Sequence, residues 1–128
     1  MQNPSYKINA HGLLNKKDPR NEPLEAAEVS RCTAHLKEFW VPSKSVTQGS
    51  YGLKHRVENT HGGYCTNGSL IQAAELLGLR IEPDGSGINA DIYVKENRDA
   101  WKAFLKKYPH GRVRFVDDEV NHARTLPT

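Results

Sequence analysis

Two pairs of residues carry side chains that could hold zinc, Cys32-x-x-His35 and His61-x-x-x-Cys65. Cysteine thiolate and histidine imidazole are the usual ligands of a tetrahedral structural site. The spacing within each pair is tolerable, but no paired knuckle pattern accompanies it. Cys32 also falls on the apolar stripe of a predicted helix, where a free thiol behaves as a small buried hydrophobe. Cys65, with His61 or His55 nearby, raises a second chemistry, that of an activated cysteine nucleophile. A cysteine beside a glycine-rich turn needs a positioned base to act that way, and the sequence specifies none. Gly62-Gly63 and Gly85-x-Gly87 lack the strand and helix flanks of a phosphate-cradling loop. The six histidines are scattered, and no pair of carboxylates stands out. The residues therefore point to a protein that binds rather than catalyses, with no metal and no cofactor.

The cations are more informative. Lys95, Arg98, Lys102 and Lys106 recur at three- and four-residue spacing, so they share one helical face, with Trp101 and Phe104 on the other. Arg112 and Arg114 fall on one side of a strand predicted to follow and could extend the patch. Residues 95–114 hold seven basic and two acidic side chains, although the whole chain carries only +3. Such a local excess suits phosphate or an acidic protein surface. The plainer alternative is a solvated face over a buried stripe. Lys54 and Arg56 are further candidates. Lys54, His55 and Arg56 are consecutive and cannot share one helical face, so one should turn inward, and His55 is the choice.

The elements that position these residues follow from periodicity and capping. Residues 1–22 have little periodicity and read as a flexible N-terminal arm, anchored at most by Leu13 and Leu14. A single α+β domain is expected over 23–116, and a mobile tail over 117–128. Val29, Cys32, Leu36 and Phe39 predict a first helix over about 23–39. Ser50 is a good N-cap for a second, roughly 51–60, stopped at His61-Gly62-Gly63. Leu70, Ile71, Ala74 and Leu77 predict a third over about 69–77, ending at Gly78. Its outward positions would be Ser69, Gln72, Ala73 and Glu75. Residues 79–82 and 88–94 flank the turn signal Pro83-Asp84-Gly85-Ser86-Gly87 and predict a β-hairpin. Asn97 caps a fourth helix, about 97–108, whose buried stripe is Ala100, Trp101, Phe104, Leu105 and Tyr108. Residues 112–116 alternate and suggest a last strand.

The fold class is thus α+β: a three-helix core, helix-turn-helix-like, with a small antiparallel sheet and a further basic amphipathic helix. The order helix, turn, helix, hairpin is that of a winged helix-turn-helix, whose second helix reads the major groove. Here Gln72 could read an adenine, but the third helix has no Arg or Lys to contact phosphate. No apolar run approaches the ~20 residues of a membrane span. The first residues have no apolar core to make a secretory signal. Two cysteines are too few for a disulfide-built secreted scaffold. The expected location is the cytoplasm.

Ser50-Tyr51-Gly52-Leu53-Lys54-His55-Arg56-Val57-Glu58, then Gly63-Tyr64-Cys65-Thr66-Asn67-Gly68-Ser69-Leu70-Ile71-Gln72-Ala73-Ala74 and Leu77-Gly78-Leu79-Arg80, resemble a pattern in small uncharacterised proteins of bacterial phages, plasmids and integrative elements. The resemblance covers about a quarter of the chain and implies a mobile-element accessory protein in a bacterial host cell. It assigns no residue a role. The expected partner is DNA or RNA, or a host nucleoprotein defence complex of the kind anti-CRISPR proteins block. A homodimer is a further option, and no membrane is involved.

Overall fold

The central element of the fold is a helix that sequence periodicity renders as amphipathic. In the computed structural model, which describes residues 8–13 and 23–111, α3 (Asn67–Leu76) is buried nearly all round. Asn67 to Ile71, Ala73 and Ala74 are all buried. Thr66 starts the helix, its Oγ1 accepting a hydrogen bond from the Ser69 N–H at 3.2 Å. Gly78, at φ +74°, ends it, with the Leu79 N–H donating back to Ala74 O at 3.0 Å.

Helices α1 (Ala26–Phe39) and α2 (Ser50–His61) pack against α3. Cys32, His35, Leu36 and Phe39 supply the inward face of α1, and Leu53 and Val57 that of α2. Ser50 does not cap α2. The cap position is Gly49, and the buried Ser50 Oγ instead accepts from the Ala90 N–H at 3.0 Å, tying helix to sheet.

The third side of α3 is covered by part of the segment that periodicity alone makes a flexible arm. Strands β1 (Ile8–Asn9) and β2 (Gly12–Leu13) form an antiparallel hairpin against it. Gly68 permits the contact: a Cβ there would lie 1.6 Å from the Asn9 carbonyl oxygen. The Gly68 N–H donates to Ala10 O at 3.1 Å, satisfying one of the free amides of the helix start.

Short antiparallel strands complete the fold. β5 (Ile81–Pro83) and β6 (Ala90–Ile92) form the predicted hairpin, Ile81 opposite Ile92 and Pro83 opposite Ala90. β4 (Gln48–Gly49) adds on the other edge of β6, giving the antiparallel order β4-β6-β5. The expected alternation holds, with Ala90, Ile92 and Val94 buried and Asp91 and Tyr93 half-buried, but the strand itself breaks at Tyr93. β7 (Val94–Glu96) then pairs antiparallel with β3 (Trp40–Pro42) in a separate ribbon. α4 (Arg98–Lys107) follows at once. The architecture is α+β, as predicted. The connection from α2 to α3 is short, but α3 is sandwiched among α1, α2 and the first hairpin, which a groove-reading helix cannot be. The predicted strand over 112–116 and the tail 117–128 lie outside the described residues.

Candidate nucleic-acid interface

α4 is set by its start and by one buried side chain. At its start, the Asn97 N–H donates to Phe39 O at 2.8 Å. The Asn97 side chain accepts from the Ala100 N–H at 3.3 Å and donates to Glu38 O at 3.2 Å. Along its length, Trp101 is the buried residue, packing on Phe39 at 4.5 Å between ring centroids and on Trp40 at 6.1 Å. Positions 98, 102 and 106, four residues apart, form one row along α4 flanking the Trp101 side. Lys95, Arg98, Lys102 and Lys106 are all exposed, but Lys95, expected in the same helical row, lies on β7 ahead of the Asn97 cap rather than on α4. None of them forms an ion pair among the described residues. Glu96, the nearest carboxylate in sequence to Lys95, is engaged elsewhere, by Arg56 at 3.0 Å. Phe104 and Tyr108 are only half-buried, and Leu105, predicted inside, is exposed. Among the described residues, too little protein lies above the helix to bury a full stripe.

The two α2 cations are structural. Lys54, expected on the surface, is buried. Its ammonium donates to Glu58 Oε2 at 2.9 Å and to Cys65 O at 3.1 Å, and lies 4.8 Å from the Tyr64 ring centroid. Burial works against its charge, but the Glu58 bond and charge outweigh that, and its pKa rises. His55, predicted inward, is exposed against the Tyr51 ring and 3.1 Å from Glu58 Oε1. Both side chains reach the Glu58 carboxylate, but only that of Lys54 also bonds the Cys65 carbonyl, from a buried position. Arg56 is half-buried, its guanidinium 4.3 Å from the Trp101 centroid and 5.0 Å from that of Trp40. It holds α2, β7 and α4 together through Glu96 and the two indoles.

Gln72 is half-buried on α3. Ser69 and Ala73, expected beside it on an outward face, are fully buried. Ser69 Oγ lies 2.8 Å from Thr66 Oγ1 and 3.2 Å from Glu28 Oε1, so it serves the helix start. Arg112 and Arg114 lie outside the described residues.

The cysteines and histidines do meet, but cysteine with cysteine and histidine with histidine. Cys32 and Cys65 are both free and fully buried. The hydrogen bond to Cys65, then burial, push the Cys32 thiol far above its ordinary range, the state of an unreactive core cysteine. Cys65, expected in an open turn, is thus part of the core. His35 is fully buried and its Nδ1 lies 3.3 Å from His61 Nε2. Among the described residues, no group of three or more His, Cys, Asp or Glu is placed to hold a metal ion. Sequence reading misses the histidine pair, although His35 sits one turn before Phe39 on the same helical face. No described helix is long and apolar enough to cross a membrane. Comparison with protein-family models, curated proteins and solved structures gives no match.

Proposed function

We propose that the protein is a non-enzymatic accessory or regulatory protein of a mobile element that contacts nucleic acid through the outward face of α4. The observation that carries this reading is the row Arg98, Lys102 and Lys106 on α4, with Lys95 on the preceding strand β7, all exposed and without ion-pair partners among the described residues. Positions 98, 102 and 106 span about 12 Å of one helix side, a rigid array of cations for a phosphate backbone. The burial of α3 argues against base-edge reading by Gln72, so binding through phosphates is sequence-tolerant. The test is retention on duplex and single-stranded DNA as salt is raised. Removing one cation that meets phosphate should lower the slope of log affinity against log salt by about one. Lys102→Glu with Lys106→Glu should abolish retention while the circular dichroism spectrum is unchanged.

A second reading, inhibition of a host defence complex by protein–protein binding, is favoured by one observation. Tyr51 and Tyr64 are 55% and 66% exposed, and the ammonium of Lys54 sits between their rings. Rigid exposed aromatics are the residues that anchor protein interfaces. A wild-type protein that ignores DNA at low salt, yet forms a stoichiometric complex sensitive to Tyr64→Ala, would replace the first reading with this one.

A further inference from the structure

A cleft of about 370 Å³ lies where the ends of α1 and α2 meet α4. It is within the size range of small-molecule sites. Phe39, Phe104 and Tyr108 give it aromatic walls, and Glu38, Thr60, His61 and Lys107 add polar groups. Ala100, Ala103, Phe104 and Lys107 face it, on the other side of α4 from the Arg98, Lys102 and Lys106 row.

The protonation of His61 follows from a chain of donors. An indole N–H can only donate. Trp40 Nε1 donates to His35 Nε2 at 3.0 Å, so neutral His35 carries its proton on Nδ1. That N–H points at His61 Nε2, 3.3 Å away, which must accept. The remaining polar atom of the His61 ring is then Nδ1–H, a donor with no partner among the described residues. The relay from Trp40 fixes the tautomer of a cleft-lining histidine and keeps it uncharged.

The two charged groups of the lining oppose each other. Glu38 brings a negative charge and Lys107 a positive one, and neither is ion-paired among the described residues. An anion that gains from Lys107 is repelled by Glu38, and a cation the reverse. The cleft therefore matches a neutral ligand. Its walls ask for a flat ring, its two donors for acceptors on that ring, and its carboxylate for an N–H. We propose that this cleft binds a free nucleobase or nucleoside: a neutral, planar heteroaromatic ring whose edge carries both donors and acceptors. The ring stacks on the open faces of the half-buried Phe104 and Tyr108, with Phe39, 5.6 Å from Phe104 between ring centroids, as the floor they pack on. A ring acceptor receives the His61 Nδ1–H, and an exocyclic amine donates to Glu38.

This site is independent of phosphate binding by the opposite side of α4, and its test uses different probes. Adenosine and uridine are titrated into the full-length protein and followed by amide and imidazole NMR, with L-phenylalanine and benzoate as comparators. At least one nucleoside should give saturable shifts at His61, Phe104 and Tyr108. Tyr108→Ala and Glu38→Gln, at half-buried and exposed positions, should each weaken it about tenfold without altering the rest of the spectrum. Absence of saturable shifts with both nucleosides up to millimolar concentration would overturn the proposal. So would equal binding by the Tyr108→Ala protein, or tighter binding of benzoate or L-phenylalanine than of either nucleoside.

Discussion

His35 shows how much a single buried side chain can commit the protein. It accepts from Trp40, donates to His61 and stacks near Phe39 and Trp101, with Arg56 as the charged neighbour. Burial first, then the charges of His61 and Arg56, hold its pKa at about 3. His61 is lowered as well, by burial first, against the pull of Glu38, with Arg31 adding to the lowering. Both groups bind fewer protons folded than unfolded. The stability they contribute is complete above the unfolded value of 6.5 and is lost as pH falls toward 3. For His35 alone the loss approaches about 1.4 kcal/mol per pH unit within that window. Urea midpoints at pH 7.5, 6.0 and 5.0 should therefore fall steadily, before most carboxylates titrate. A midpoint unchanged between 7.5 and 5.0 would mean that the imidazoles are solvated. In sequence, the same two histidines suggest metal ligation. Residue type alone tells of chemistry near positions 35 and 61, but only the fold tells that the partner of each is the other. Lys54 teaches the same limit: three consecutive polar residues require one to turn inward, and the geometry of Glu58 and Cys65 decides which.

At the scale of elements, signals are strong where they are local in cause. The Asn97 cap, the Gly78 stop and the Pro83–Gly87 turn are each written within a few residues, and each is present in the structure. Replacing Asn97 by Ala should cost about 1 kcal/mol, because it removes the acceptor for the Ala100 N–H. A drop in the thermal midpoint with an unchanged fold is the expected readout; no change would mean that Asn97 holds α4 through its backbone alone. Signals fail where burial depends on what arrives from elsewhere. Ser69 and Ala73 read as outward on a helix wheel because Leu70, Ile71 and Ala74 define a sufficient stripe. The structure buries both, as α1 and the first hairpin close over the face the wheel leaves free. In α4 the error runs the other way. Leu105 completes an apolar stripe in sequence, yet nothing described is positioned to cover it. The basic row of α4 is legible from spacing, since three cations on one face of an edge helix have no cheaper place than solvent, whereas Lys95, which the same spacing adds to the row, belongs to β7.

Over the whole molecule, two stretches distant in sequence converge on the start of α3. The Asn67 amide nitrogen donates to His11 O at 2.9 Å, to Ile88 O at 3.3 Å and to Asn89 Oδ1 at 2.9 Å. It thus fastens the first hairpin and the β5–β6 turn to one helix. Gly68 sits beside it, where the Asn9 carbonyl leaves no room for a side chain. This arrangement predicts a change of sign. In the full chain, Gly68→Ala should destabilise by at least about 3 kcal/mol, since backbone must move to admit a methyl group. In a chain lacking residues 1–13 the obstacle is gone, and alanine is the better helix former by about 0.5–1 kcal/mol. There the same substitution should be neutral or stabilising. Denaturant midpoints of the four proteins give the coupling directly. Should the shortened chain fail to fold, amide exchange in the full-length protein replaces it. The Gly68 N–H, bonded to Ala10 O, should then exchange as slowly as the core of α3, because the hairpin is held as firmly as the helix it covers. Destabilisation of equal size in both backgrounds, or a Gly68 amide that exchanges like that of an open helix end, would show that the hairpin rests on α3 without contributing to its packing.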